Sequence, residues 1–155
     1  MKPTKFQWIL ATCMLNSWVG LALADEAEDR AIAALKKLRA SVTQDNDKPG
    51  KPAVAIPQIF NPEFGDADLV HCKDLKNLEQ LNLEFKTKIT NAGLVHIQDL
   101  KKLKNLNLME TQVSDEGLPK LKALKQLQSL SLGSTNVSDA GLLYLKEFVT
   151  VQTTV

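Results

Sequence analysis

The feature that most constrains the fold is an eleven-residue pattern that the chain contains three times. It reads KITNAGLVHIQ at 88–98, QVSDEGLPKLK at 112–122 and NVSDAGLLYLK at 136–146. A catalytic site needs one set of groups, whereas a stack of equivalent units needs one set in every unit. The chain is therefore expected to consist of stacked repeats that bury their apolar residues against one another.

A leucine pattern precedes each copy. The motif L-x-x-L-x-L occurs at 78–83, 103–108 and 127–132, so its first leucines are 25 and 24 residues apart. The last two leucines of each motif alternate with one polar residue, which indicates a short strand with one buried face. Each unit is thus predicted to begin with a strand.

Helix-start signals follow each predicted strand. A hydroxyl residue suited to an N-cap is followed in all three copies by apolar residues at helical spacing, and in the second and third copies also by acidic residues in the first turn. The predicted N-caps are Thr90, Ser114 and Ser138, and the acidic residues are Asp115, Glu116 and Asp139. Each unit is predicted to read strand, turn, short helix.

The two motifs together carry a family resemblance. L-x-x-L-x-L followed by T/S-D-x-G-L-x-x-L resembles a leucine-rich repeat of the 24-residue type found in secreted bacterial proteins, and more distantly the cysteine-containing repeats of F-box proteins. The resemblance covers about half of the chain, 78–150. It implies an α/β right-handed solenoid with short parallel strands on the concave side and short helices on the convex side.

One position departs from the family pattern. The ninth place of the motif, usually Asn or Cys in the family, is occupied by Thr111 and Thr135 in two units. In the unit 78–102 one inserted residue is expected to move Thr87 to the tenth place. A buried hydroxyl at this place is expected to bond to the backbone of the neighbouring turn.

The N-terminus predicts export. Residues 1–24 combine a charged start, a mostly apolar run and the small residues Ala22 and Ala24 where a signal peptidase cleaves. We therefore predict a removable signal and a location in the periplasm, the cell envelope or the extracellular space. Contact with a membrane is expected only under the alternative that the segment is retained as an anchor.

Residues 25–53 are predicted to form an N-terminal cap. The stretch from 26 to 42 indicates an amphipathic helix with Ile32, Leu35, Leu38 and Val42 as its apolar stripe, and a turn-rich segment follows it. Such a cap would cover the first unit of a repeat domain at 54–155.

The repeat domain divides into a degenerate unit 54–77, three regular units at 78–102, 103–126 and 127–150, and a truncated end at 151–155. Pro57 falls on a strand leucine position, so its strand is expected to be short, bulged or at the sheet edge. At the other end, Thr154 is expected to align with Leu130. This β-prone, uncharged terminal edge motivates a hypothesis of self-association.

The outward strand residues are the predicted ligand-binding face. They are polar and carry one charge, and they include no aromatic side chain to anchor a tight complex. They comprise Gln80, Asn82, Glu84, Asn105, Asn107, Met109, Ser129, Ser131 and Gly133. We expect recognition of a protein or a polysaccharide through hydrogen bonds.

The helical side offers a candidate metal site. His71 with Asp74 and His96 with Asp99 repeat the same spacing, and two imidazoles with two carboxylates could ligate a divalent ion. The alternative is that they are exposed neighbours copied along with the repeat. Cys72 lies at a predicted core position and is expected to be a buried, inert thiol rather than a nucleophile.

The remaining patterns restrict the function further. The formal net charge is +1, and without Lys2 and Lys5 of the predicted signal it is −1, so no large net field is left to steer nucleic acid. The chain also contains no phosphate loop and no hydrolase or metalloprotease motif. We therefore expect no enzyme activity, no cofactor and no nucleic-acid partner. The leading hypothesis is an exported binding module, and the alternatives are a metal-binding protein or metal-dependent enzyme and a structural envelope component that assembles through its ends.

Overall fold

The computed structural model describes residues 26–147 and 152–154, and these form an α/β structure around one six-stranded sheet. The strand order follows the sequence from β1 to β6. The first pair, β1 with β2, is antiparallel and each later pair is parallel. The strands are β1 (Ala40–Gln44), β2 (Ala53–Ile59), β3 (Gln80–Asn82), β4 (Asn105–Asn107), β5 (Ser129–Ser131) and β6 (Gln152–Thr154).

One helix precedes the sheet, and short helices connect its parallel strands. The longest described helix, α1, covers residues 26–37, and the others are one-turn α-helices or 3₁₀ helices. Their bounds are Leu118–Leu121 for α2, Asp139–Leu142 for α3, and Asp68–Asp74, Gly93–His96, Asp115–Gly117 and Leu143–Glu147 for the 3₁₀ helices. The predicted short helices are therefore present, but mostly in the tighter 3₁₀ geometry, in runs of three to seven residues.

The strand leucines lie in register. Leu81 pairs with Leu106, and Leu106 pairs with Leu130, with exposed fractions of 1%, 2% and 0%. The other leucines of the three motifs are buried in the same core: Leu78, Leu83, Leu103, Leu108, Leu127 and Leu132. The predicted strand at the start of each regular unit is confirmed. Units 24 and 25 residues long stack because each places the same apolar side chains against its neighbour.

The predicted N-terminal helix is shorter than expected. It ends at residue 37, Arg39 takes a positive φ of 62°, and β1 begins at Ala40. Val42 therefore lies in a strand, where its β-branched side chain fits well, and the prediction of helix up to that residue was wrong. Leu38 and Val42 still pack against the core. β1 adds an antiparallel edge to β2, so residues 40–44 bond to the sheet instead of extending α1.

The strand of the degenerate unit also differs from expectation. Ile56, and not Pro57, pairs with Leu81 and takes the buried leucine position, while Pro57 is exposed. The predicted bulge is present, because the pairing with β1 shifts register between Ser41 and Thr43. The strand is neither short nor at the edge, since β2 has seven residues and lies between β1 and β3.

At the C-terminal end, Thr153 pairs with Leu130. The expected alignment of Thr154 with Leu130 was therefore wrong by one residue. β6 pairs with β5, and the self-association of this edge stays a prediction. The predicted signal at 1–24 lies outside the described residues.

Candidate binding face on the strand side

The candidate site is the row of outward side chains on the three central strands, which we call the strand face. Its members are Gln80, Asn82, Asn105, Asn107, Ser129 and Ser131. Each flanks a buried leucine, so strand alternation turns it away from the core. The sequence prediction placed these residues on the outward side, and their exposed or half-buried positions agree with it.

Strand register arranges the strand face in two straight rows. Gln80 pairs with Asn105 and then Ser129, and the second row runs through the last residue of each strand. Neighbouring strands of a sheet lie about 4.8 Å apart, so each row presents one polar side chain at that interval. A shallow depression of about 260 Å³ is lined by both rows. The arrangement offers amide donors and acceptors beside hydroxyl groups.

Asn82 and Asn107 have a structural role that the sequence prediction missed. The Oδ1 of Asn82 accepts a hydrogen bond from the N–H of Glu84 at 2.9 Å, and the Oδ1 of Asn107 accepts one from the N–H of Met109 at 3.0 Å. An Asn side chain that bonds the backbone two residues later stabilises a turn. The spacing Asn-x-Glu and Asn-x-Met at strand ends was the available signal.

The turns that these amides stabilise each contain a residue in the left-handed region of backbone conformation. Phe85 and Glu110, directly after the bonded residues, have positive φ values of 60° and 55°. A non-glycine residue in this region is uncommon and persists where the surroundings hold it. The equivalent Ser134 has φ 54°. Asn82 and Asn107 thus order the end of each strand, and their amide oxygens are already occupied.

Gln80 and Asn105 differ from those two residues. Both are exposed, and within the described residues their side chains make no hydrogen bond. Their amide groups are therefore open to a ligand, as is the hydroxyl of Ser129. This row, 80, 105 and 129, is the part of the strand face best placed to bind.

Glu84 and Met109 border the strand face. Glu84 accepts a hydrogen bond at its Oε2 from the Nδ2 of Asn107 at 3.2 Å, so the charge is tied to the neighbouring strand. Met109 is half-buried, and its carbonyl accepts from the N–H of Phe85 at 3.0 Å. These two predicted site residues mainly complete the edge of the face.

The candidate metal ligands are not gathered into a site. In residues 26–147 and 152–154, no three His, Cys, Asp or Glu side chains are placed to hold a metal ion. His71 and Asp74 line a hollow against α1, whereas Asp99 forms an exposed ion pair with Lys101 at 3.2 Å. His96 closes a separate 3₁₀ helix. His71, Asp74 and His96 are half-buried and Asp99 is exposed, and their repeated spacing does not bring three of them together within the described residues.

Cys72 is buried in the core. It is 0% exposed, and burial raises the pKa of its thiol to about 12. Because the thiolate is the reactive species, this environment suppresses nucleophilic chemistry. The geometry supports the prediction that the thiol is inert.

A ladder of side-chain hydrogen bonds joins successive units on the helical side. In each step an Asp or Asn accepts from the backbone N–H of a Thr or Ser one unit later and also bonds its hydroxyl. We call these steps the Asx clamps: Asp66 with Thr90 at 2.8 and 2.6 Å, Asn91 with Ser114 at 2.9 and 2.7 Å, and Asp115 with Ser138 at 2.8 and 2.6 Å. The clamps fix the spacing between repeats.

The clamps change the interpretation of the predicted N-caps. Ser138 caps α3 by accepting from the N–H of Ala140, whereas Ser114 makes no side-chain cap bond. The hydroxyl and N–H of Ser138 donate to Asp115 and lower the pKa of that carboxyl. The acidic residue predicted to favour its own helix thus mainly holds the next unit.

The clamps also explain the glycine of the motif. A Cβ on Gly93, Gly117 or Gly141 would lie 2.3, 2.4 or 2.0 Å from the clamp oxygen of the preceding unit. Such distances are far shorter than any van der Waals contact. The motif T/S-D/N-x-G therefore encodes one interaction, in which glycine leaves space for the carboxylate or amide that binds the hydroxyl residue.

Lys86 occupies the ninth place of its unit, which corrects the expectation for Thr87. The N–H of Lys86 donates to Leu83 at 3.2 Å, as that of Thr111 donates to Leu108 at 3.2 Å. The buried Thr111 also bonds the Leu108 carbonyl through its hydroxyl at 2.7 Å, which is a bond within its own unit and not to the neighbouring turn as expected. Thr87 is exposed and is the additional residue of the longer unit.

Neither the family models nor the curated proteins give a match to this chain. None of the helices in the described part of the chain has the length and apolar character needed to cross a membrane.

Proposed function

We propose that this protein is an exported, non-enzymatic leucine-rich repeat solenoid that binds a protein or a polysaccharide through its strand face. In this proposal the parallel strands line the concave side and the short helices the convex side. Right-handed crossovers connect the strands, as they do in nearly all parallel sheets.

One observation carries the proposal. Three units place Gln80, Asn105 and Ser129 in one row, in register, with no hydrogen bond from these side chains to the rest of the described chain. The other repeated residues have structural roles: the leucines form the core, and the Asp, Ser and Gly positions form the Asx clamps. Asn82 and Asn107 stabilise the turns at the strand ends. The row at 80, 105 and 129 has no such structural task.

The chemistry of the row favours an extended ligand. It presents uncharged amides and a hydroxyl, and it lacks the Tyr, Trp and Arg side chains that dominate tight interfaces. Hydroxyl groups of a polysaccharide or the backbone of an extended peptide would satisfy these groups several at a time. Repetition then raises affinity through many weak hydrogen bonds.

Export is the second part of the proposal and rests on the sequence of residues 1–24. The polar, uncharged face fits a ligand met outside the cytosol, where envelope polysaccharides and secreted proteins occur. Fractionation of cells that express the full chain tests this part, since cytosolic retention of the uncleaved form would contradict it.

A paired-variant binding experiment tests the strand face. Residues 25–155 are immobilised and exposed to a panel of purified soluble polysaccharides and to a random-peptide display library. Gln80→Arg with Asn105→Arg places two bulky charges on the open row and leaves the turn-forming Asn82 and Asn107 intact. Any ligand of the strand face should lose at least about tenfold in affinity, since several hydrogen bonds are blocked at once.

The matched control adds the same charge elsewhere. Asn46→Arg with Gln126→Arg changes two exposed residues outside β3, β4 and β5, and it should retain binding. Equal binding by the wild-type protein and the 80/105 variant would show that the ligand uses another surface. Absence of any ligand from both panels would overturn the proposal.

A further inference from the structure

The first parallel pair of strands separates earlier than the later pairs. Pairing of β2 with β3 ends at Ile56 with Leu81, whereas β3 with β4 continues for one more residue to Asn82 with Asn107. The pairing of β2 with β1 also shifts register in this stretch, between Ser41 and Thr43. β2 and β3 therefore diverge beyond this point.

The backbone beyond the strands diverges in the same way. In unit 78–102, the N–H of Phe85 donates to the carbonyl of Met109 in the next unit at 3.0 Å. The corresponding N–H after β2, that of Phe60, turns to the other side and donates to Arg39 at 3.0 Å. The space between the two chain segments is left open.

The opening forms a cleft of about 310 Å³ next to the strand face. Its volume lies at the small end of the range for ligand pockets. It combines an exposed aromatic ring, a proline ring, two amides and two opposite charges. The lining includes Pro57, Gln58, Asn82, Glu84, Phe85 and Lys86. Phe85 is 55% exposed, which leaves an apolar surface at the cleft without cover from the described residues.

Lys86 is the unusual member of this lining. It is 8% exposed, although lysine is almost never buried without a partner. Among the described residues, neither a hydrogen bond nor an ion pair holds its ammonium group. The equivalent Thr111 and Thr135 bond the carbonyls of Leu108 and Leu132 and leave no free donor.

The alkyl stem of Lys86 is buried, whereas its ammonium nitrogen reaches the surface, since no side-chain nitrogen of the described residues is both buried and without a hydrogen bond. Desolvation lowers the pKa of its ammonium group. An anion in the cleft would reverse this effect, since an opposite charge within a few ångströms stabilises the ammonium. The site is thus arranged to gain from a negatively charged ligand.

We propose that the cleft between β2 and β3 binds a small organic monocarboxylate, with the carboxylate on the Lys86 ammonium and an apolar or aromatic body against Phe85 and Pro57. The amide of Gln58 and the amide nitrogen of Asn82 border the same cleft and can bond the ligand's polar groups. Glu84 adds a negative charge to the same lining, so each further carboxylate on a ligand increases the repulsion and ligands with one carboxylate are favoured. This site and its ligand do not depend on the proposed function of the strand face.

The test uses phenylacetate as the probe and residues 25–155 as the protein. Titration is followed by amide chemical shifts in ¹H–¹⁵N spectra. Phenylacetate should cause saturable shifts at Gln58, Asn82 and Phe85, whereas 2-phenylethanol and phenethylamine, which keep the ring but lack the carboxylate, should bind at least about tenfold more weakly. Binding of phenylacetate should also weaken as pH rises through the Lys86 pKa. Absence of saturable shifts with millimolar phenylacetate would overturn the proposal.

Two variants assign the effect to the lysine. Lys86→Thr installs the residue found at the equivalent places of the next two units, and Lys86→Met keeps an unbranched apolar side chain without the charge. Both should lose phenylacetate binding while their far-ultraviolet circular dichroism stays that of the wild-type protein. If one variant unfolds, the phenylacetate affinity of the other, folded variant tests whether Lys86 binds the carboxylate. Retained affinity in a folded variant, or equal shifts with inorganic phosphate, would contradict the assignment.

Discussion

Replacement of Gly117 by alanine tests the central packing argument. The added Cβ would lie 2.4 Å from the Oδ1 of Asn91 and 2.9 Å from a methyl carbon of Leu94. The backbone at Gly117 has φ −78° and ψ −32°, which alanine adopts freely. Any loss of stability therefore comes from lost space for the Asx clamp and not from backbone strain.

The magnitude follows from what must move. To relieve the contact, Asn91 has to leave Ser114 and so give up two hydrogen bonds, of 2.9 and 2.7 Å. Two such bonds contribute on the order of 2 kcal/mol together, and residual crowding against Leu94 costs about 1 kcal/mol more. Replacing glycine by alanine returns about 0.4–1 kcal/mol through the unfolded chain. Gly117→Ala should thus lower the free energy of unfolding by about 2 kcal/mol.

A double-mutant cycle in urea measures this coupling. Asn91→Ala alone should cost roughly the two hydrogen bonds, and Gly117→Ala should then cost much less in that background because the amide oxygen has been removed. The expected coupling energy is about 1–2 kcal/mol. Gly133→Ala is the matched control, since the equivalent places carry the side chains of Glu84 and Met109. Additive losses in the cycle, or an equal loss for Gly133→Ala, would refute the explanation.

Three further predictions follow from the titratable groups. Hydrogen bonds from Ser138 lower the pKa of Asp115 in the folded protein. The stability that this clamp contributes is therefore present above the ordinary pKa of 3.8 and is lost as pH falls through the lower pKa of the folded state. Ser138→Ala should reduce the dependence of the melting temperature on acid pH. Cys72, with its pKa raised to about 12, should resist alkylation by iodoacetamide at pH about 8 until urea unfolds the chain; labelling of the folded protein would contradict its burial. Burial lowers the pKa of Lys86, so its charge destabilises the fold at neutral pH, and the cost disappears as pH rises from the folded toward the unfolded value of 10.5. Lys86→Met should therefore be at least as stable as the wild type at pH about 7, and lower stability would indicate an ion pair.

The leucine periodicity could be predicted because it depends on local rules alone. Strand alternation and a spacing of 24 or 25 residues determine which side chains face inward, and Leu81, Leu106 and Leu130 lie in register as those rules require. The polarity of the strand face follows from the same alternation. The side of the sheet on which a strand residue lies can therefore be predicted from the sequence of that strand alone.

The errors arose where a distant partner decides the structure. Val42 lies at helical spacing from Leu38, yet β2 provides an antiparallel partner, and the hydrogen bonds of a sheet replace those of a helix. The same holds for Asp115, whose carboxylate was expected to serve its own helix and instead bonds Ser138 of the next unit. No sequence window around either residue contains its partner.

The departures from the repeat coincide in space, and this makes them informative. The bulge at Pro57, the additional residue Thr87 and the lysine in place of a ninth-position threonine all belong to the first two units, and two of the three residues line one cleft. Sequences that fold well are consistent at every level, and departures concentrate where function imposes another demand. A threonine at the ninth place would satisfy the Leu83 carbonyl through its hydroxyl, as Thr111 satisfies Leu108. Lys86 gives up that bond and places a partly desolvated ammonium group at the cleft, where a bound carboxylate would stabilise its charge.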